Sequence, residues 1–431
     1  MTTRRQIIWL IAVAFAARLA IFILMLGNFG PGGFYLANRF APLTDNDSQN
    51  YVTIAKNLAE GNGYSRFAEG PFEPDSFRTP LLPLYFTPFI SAFGFKIGVI
   101  AAMLVLIAIL SLTAAVAYKF ARLFLQERYS FWFALLIALE PLLVYRSNIA
   151  EPDGLIVLLL LLAMYFFTRF WKEGQVKYLY GAGLLLGILC LAKPVGIYVI
   201  CIVGIFAFMT QLLRGREVTE SIRNLAVYFT IAAVVVGPWV YRNHKVFGAW
   251  STSSITMYNF YNYYTDKIRL PTEPLPKNLA GRDSARDLRN EKYFMKLSLD
   301  RIKAQPFAYA KAHVTGTVKN LLASDLPGIY NNGHSRILPF AYNPHGQSAH
   351  PGPVYILRHL FLAGFYLVIA YHWIKLYPRD KNLFWLFTMF LAISFYFVFV
   401  AGNFVDAKYR LPVLPLLILI FLHFWQTRRE S

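Results

Sequence analysis

Long apolar runs separated by short polar breaks dominate this chain. Apolar residues run almost unbroken over 7–27, 97–118, 155–170, 195–213, 225–241, 354–373, 383–400 and 411–425. A further run, 131–145, is interrupted by Glu140-Pro141, and Lys193-Pro194 divides 178–192 from 195–213. A helix needs about 20 apolar residues to cross a bilayer, with a range of roughly 17–25. The pattern therefore predicts an all-α polytopic membrane protein of about ten spanning helices. The segment 81–93 is apolar but short and carries Pro83 and Pro88, so it reads as a re-entrant or membrane-surface piece. The first run exceeds the length of a secretory leader core and reads as an uncleaved anchor.

Two polar stretches stand out against this background. The first, 28–79, follows the first span. Within it Tyr51, Ala55 and Leu58 recur at helical spacing, and Gly61 and Gly63 mark the helix end. The second, 242–353, reads as an external, mostly helical domain between a 1–241 transmembrane core and the 354–431 C-terminal helices. Mixed charge over 283–303, with Leu288, Phe294, Leu297 and Ile302 interleaved, predicts an amphipathic helix lying on the membrane face, and 308–322 predicts another. Tyr258, Phe260, Tyr261, Tyr263 and Tyr264 form an aromatic cluster after the seventh span. It reads either as an interfacial belt or as a platform for sugar or lipid. His334, His345 and His350 fall in a loop-like stretch, at a spacing that matches no familiar metal site.

Composition agrees with the pattern: 57% of the 431 residues are hydrophobic and only 15% charged. Net charge is +19, but the basic residues are scattered at the ends of apolar runs, which argues for membrane topology and anionic-lipid contact over nucleic acid. With the N-terminus cytoplasmic, the short inside segments hold sixteen Lys and Arg, and the short outside turns hold four, Arg146, Lys193, Lys408 and Arg410. That positive-inside bias sends Asp45, Asp47, Arg78, Glu151, Lys193, Arg242 and Arg410 to one outer face. The plasma membrane, a bacterial inner membrane, is the expected location. Cys190 and Cys201 both sit in apolar runs, which gives no disulfide framework. Arg18, inside the first span, reads as snorkelling or paired with another helix, or as functional.

Convergence of charge on an outer face suits chemistry at the membrane surface, whereas a transporter would place polar residues near the bilayer midplane. Asp47 and Asp45 precede the first-loop helix. An aspartate there is either an N-cap or a base, and Asp45 either orients Asp47 or binds the acceptor or a divalent cation. Lys193, Arg242 and Arg410 each end a span, as interfacial anchors or as phosphate contacts.

Ordered motifs carry a resemblance to a known group. Asp47 lies four residues before Tyr51; then come Gly61-Asn62-Gly63-Tyr64 and Arg78-x-Pro80-x-x-Pro83. Pro238-Trp239-x-x-Arg242-Asn243 and Arg410-x-Pro412-x-x-Pro415 follow. In this the chain resembles the GT-C-type glycosyltransferases, the group of protein O-mannosyltransferases and lipid A aminoarabinose transferases. Many members have Asp-Glu where this chain has Asp47-Ser48, and Arg-Pro where it has Lys193-Pro194. The resemblance implies a GT-C-like fold, with 28–79 as the catalytic loop. It implies a polyprenyl phosphate (undecaprenyl or dolichyl) sugar as donor, and a glycan, lipid or protein acceptor on the external face. It also implies an inverting transfer with Asp47 as base, and Lys193, Arg242 and Arg410 against the donor phosphate. Arg78, Glu151, Tyr258 and Tyr261 then face sugar or acceptor. The other readings are a surface-polysaccharide ligase or polymerase, and a transporter of lipid-linked sugars.

Overall fold

The computed structural model describes residues 2–27, 46–270, 279–323, 353–402 and 406–430. Over these residues the chain is helical, with no strand. The expected residues Asp45, His334, His345 and His350 lie outside the described set.

Among the described residues, eight helices are long and apolar enough to cross a membrane. They correspond to eight of the ten predicted runs. The other two runs are shorter as helices. One, 131–145, becomes α6 (Glu127–Leu139) and α7 (Pro141–Arg146), because Glu140 turns extended (ψ 118°) where Pro141 lacks an N–H. The other is α9 (Val176–Ala192), which ends where Lys193 and Pro194 break the helix.

Helix α1 (Thr3–Gly27) packs on α4 (Phe95–Ser111), α5 (Thr113–Ala121) and α6. The first loop contains α2 (Asn46–Ala59), longer than the predicted helical spacing alone required. Gly61 and Gly63 both have φ +80°, the left-handed region that glycine enters without a Cβ penalty. Leu81–Phe93 forms α3, 13 residues and so about 20 Å long, short of a bilayer core of about 30 Å. It doubles back on α4 at Gly94 and packs on α2. The buried face of α2 (Tyr51, Val52, Ala55) joins Phe22 of α1, Leu82 and Phe86 of α3, several α4 residues and Ala150 in one apolar cluster. That cluster fixes where the N-terminus of α2 points.

A second, larger buried cluster holds the rest. It is built from α5 to α10 (Gly196–Leu213), α11 (Val218–Phe247), α15 (Pro353–Arg379), α16 (Lys381–Val400) and α17 (Leu414–Glu430). Between α11 and α15 lie α12 (Ile255–Asn259), α13 (Glu291–Ala304) and α14 (Pro306–Leu322). The amphipathic helix expected from 283 starts later: residues 284–290 form two short 3₁₀ turns before α13, in which Phe294 and Leu297 are buried.

Candidate active site

Four breaks in the helical pattern meet at one end of the bundle: the first loop, the turn between α7 and α8 (Asp153–Glu173), the Lys193-Pro194 break, and the turn before α17. Between them lies an open cleft with about 380 Å³ of empty space, part of it continuous with solvent. Asp47 and Tyr51 of α2 line it, with Phe77, Arg78 and Thr79 of the first loop. Glu151 and Asp153, Lys193, Ile255 and Lys408 complete the wall.

Asp47 is the second residue of α2, so its carboxylate sits at the positive end of the helix dipole. Its side chain is 47% exposed and pairs with the Arg78 guanidinium, which is 2% exposed. Arg78 lies over Phe77 (4.4 Å) and Tyr51 (5.1 Å). Burial opposes the charge on Arg78, but Asp47 overrides it and holds the guanidinium above its ordinary value. Burial pushes the Tyr51 hydroxyl up to about 12, with Arg78 pulling the other way. Tyr51 is therefore a neutral donor in this wall and not a base.

The loop's shape follows from a few buried polar anchors. Asp75 accepts from the Phe77 amide (3.0 Å) and the Arg78 amide (2.8 Å) and pairs with Arg66 (3.3 Å). Burial nevertheless pushes the Asp75 carboxyl up. Asn57 donates to Ser65 O (2.7 Å) and Phe67 O (2.8 Å), which pins the loop to α2. Thr79 donates to Ala192 O (2.8 Å), tying the loop to the end of α9 beside Lys193. Ser253 and Ser254 bond the loop from the other side, through Phe77 O (2.6 Å) and Ser76 O (2.9 Å). The stretch after α11 and the first loop are thus one packed unit.

Opposite Asp47, the charges alternate. Arg146 pairs with Glu151 (3.1 Å) and lies 3.9 Å from Asp153 and 3.7 Å from Asp406. Lys193 donates to Asp153 (3.0 Å), and Lys408 pairs with Asp406 (3.4 Å). Each ammonium is thus paired with a carboxylate and still lines the cavity, where an anion would be met by two cations. Among the described residues no group of three or more His, Cys, Asp or Glu is arranged to hold a metal ion.

Of the residues expected from sequence, Asp47, Arg78, Glu151 and Lys193 meet in this cavity. Arg242 and Arg410 do not line it. Arg242 is ringed by Tyr64, Trp239 and Phe247, and donates to Asp75 O (2.8 Å) and Asn243 Oδ1 (2.9 Å). Arg410 donates to Leu321 O and to Ala323 O (2.9 Å), which holds the end of α14. Arg242 thus bonds one backbone and one side-chain oxygen, and Arg410 bonds two backbone carbonyls. Tyr261 is also elsewhere, packed on Phe294 (4.7 Å) and under Arg301 (4.4 Å). Tyr258 lies behind the wall, against Phe77 (5.1 Å) and bonded to Arg286 (3.1 Å). The aromatic cluster is mainly a packing joint. Sequence reasoning passed over Lys408 as a cavity residue. It counted as topology charge, although it stands two residues from Arg410 and immediately before Tyr409.

Residues 78–241 match the family described as dolichyl-phosphate-mannose-protein mannosyltransferase. No curated protein matches the chain. The fold resembles the oligosaccharyltransferase of Archaeoglobus fulgidus in its apo form, at 13% identity and a TM-score of 0.53. It resembles equally that enzyme, AglB, in complex with an inhibitory peptide and a dolichol-phosphate, at 14% identity and a TM-score of 0.53. Both likenesses cover 98% of this chain and 52% of the archaeal one, so the chain spans about half the length of that enzyme. ArnT from Cupriavidus metallidurans bound to undecaprenyl phosphate matches at 12% identity and a TM-score of 0.43, over 100% of this chain and 79% of ArnT. The fold is GT-C-like, that of multi-pass membrane glycosyltransferases.

Proposed function

We propose that this chain is a GT-C glycosyltransferase that moves a sugar from a polyprenyl phosphate to an acceptor hydroxyl on the external face of the membrane. One observation carries the reading most: an exposed carboxylate, Asp47, and two ammonium groups, Lys193 and Lys408, line the same cavity at the end of an apolar helix bundle. Glycosyl transfer from a lipid phosphate needs a proton acceptor and a cationic seat for the leaving phosphate at one site. The family matched by 78–241 is named for a dolichyl-phosphate sugar, and the archaeal structure of like fold is in complex with a dolichol-phosphate. Both support a polyprenyl donor.

In this reading the acceptor oxygen attacks the anomeric carbon as Asp47 takes its proton. The bond from that carbon to the phosphate oxygen breaks, and the phosphate keeps the electron pair and settles against Lys193 and Lys408. A single displacement of this kind inverts the anomeric centre. Arg78 holds Asp47 in place until acceptor arrives. Glu151 and Asp153 keep Arg146 and Lys193 fixed, so their charge is preorganised and not gathered during reaction. In this reading the stretch after α11 belongs to the external side. Arg242 and Arg410 serve as backbone clamps, and the plasma membrane is the location.

The test is transfer by purified protein in detergent, with polyprenyl monophosphate sugars compared with UDP- and GDP-sugars. Turnover is expected with the lipid donor alone. Turnover with a nucleotide sugar and no lipid carrier would contradict the reading.

A further inference from the structure

An arginine inside a membrane-spanning helix is costly unless every donor is used. Arg18, on α1, is fully buried. Its Nη1 donates to Ala14 O on its own helix (3.0 Å) and to Ala138 O (3.1 Å), and its Nε donates to Ser147 Oγ (3.2 Å). Ala138 and Ser147 flank α7. Ala138 stands just before the Glu140-Pro141 break, where carbonyls of the preceding turn lose their backbone donors. Arg18 supplies one. Ser147 stands just after α7 and passes its own proton to Leu143 O (2.6 Å). Glu140, at the break, supplies an opposite charge that acts on Arg18 and caps α7 through the Leu143 amide (2.5 Å).

Each partner leads to the cavity. Helix α7 ends at Arg146, and the turn after it carries Glu151 and Asp153. Phe22, one turn beyond Arg18, shares a buried cluster with Tyr51, Val52 and Ala55 of α2 and with Ala150 of that turn. We propose that Arg18 is a positioning residue: by clamping both ends of α7 to α1 it sets the spacing between Asp47 and the Glu151–Asp153 turn. The catalytic half of this proposal rests on the glycosyl-transfer reading, and the geometric half does not.

Removing Arg18 alone would also take away an opposite charge that acts on Glu140, an electrostatic cost unrelated to positioning. The informative variant is Arg18→Met with Glu140→Gln, which removes both charges and keeps the capping oxygen. Full-length protein with Cys201→Ser carries spin labels at Glu60 and Leu139, both exposed and at the ends of α2 and α6. The expected result is a folded double variant whose distance distribution is broader than wild type. Turnover is expected to fall about 10- to 100-fold, with donor KM within about twofold, since a misplacement of about 1 Å costs roughly that much. Arg18→Lys keeps the charge but reaches fewer acceptors, so it should fold in any case and give an intermediate distribution and turnover. A wild-type distance distribution, or wild-type turnover, in either folded variant overturns the proposal. If wild-type protein transfers nothing from a polyprenyl phosphate sugar, the distance measurement alone decides, and only the glycosyl-transfer reading falls.

Discussion

Asp47 shows how one side chain supports two readings that a single mutant separates. It stands in the first turn of α2, where an aspartate stabilises the helix, and it also faces the cavity. Asn matches Asp in size and keeps an accepting oxygen but cannot accept the proton. Asp47→Asn is expected to stay folded with a lowered thermal midpoint, since the buried Arg78 guanidinium loses its carboxylate, and to lose turnover by about 10²- to 10⁴-fold, the usual range for general-base catalysis. Wild-type turnover in that variant would leave Asp47 a first-turn helix residue and a partner of Arg78, and nothing more. The basic residues separate in the same way. Lys193→Met should raise the donor KM by roughly 10- to 150-fold, equivalent to about 1.5–3 kcal/mol for a charge-assisted bond to phosphate. Arg242→Ala should instead lower the melting temperature, because it strips a donor from Asp75 O inside packed structure. A KM effect of equal size in both variants would argue that Arg242 reaches the donor after all. From sequence these cations are indistinguishable, each a basic residue at the end of an apolar run. Only the partner each one finds tells anchor from ligand.

At the scale of elements, α2 and the turn that follows it decide where the acid points. Two buried bonds from Asn57 pin residues 65 and 67 to the helix. Asn57→Ala removes both donors and leaves two carbonyls to find new partners. It should destabilise the protein by about 1–3 kcal/mol, read as a fall in the denaturation midpoint in detergent, and the cavity residues should become more accessible to labelling. An unchanged midpoint would mean that the loop is held from the α12 side alone. The helix itself was legible, since its apolar positions recur at helical spacing and two glycines stop it. The anchoring was not, because Asn57 looks like any polar residue on a solvated face until Ser65 and Phe67 turn back on it. The short 3₁₀ turns before α13 were also invisible, since mixed charge over 283–303 fits a helix as well as it fits turns.

For the whole molecule, the testable quantity is sidedness. The bias of Lys and Arg among the short segments predicts the cavity end outside and the Lys172 end inside. Single cysteines at Glu60 and Lys172, in a Cys201→Ser background, should divide under an impermeant maleimide in intact cells. Position 60 should label and position 172 should not. The reverse pattern would place Asp47 in the cytoplasm and remove any external acceptor from its reach.

What the sequence determined alone was the class of the molecule and the ends of most helices. Hydrophobic runs must be buried in lipid or in one another, prolines must break the ladder, and glycines must take the left-handed turns. These constraints are local and can be read in order. It also placed Asp47, Arg78, Glu151 and Lys193 at one end, because the spans alternate in direction and each of these residues falls in a break on the same side. What only the tertiary structure decided was which of those end residues share a cavity. Arg242 and Lys408 follow the same local rules, yet one is enclosed by Tyr64, Trp239 and Phe247 while the other lines the cavity beside Lys193. That choice depends on how the end of α11 packs on the first loop and where the turn before α17 falls, and packing couples residues more than a hundred positions apart that no periodicity relates.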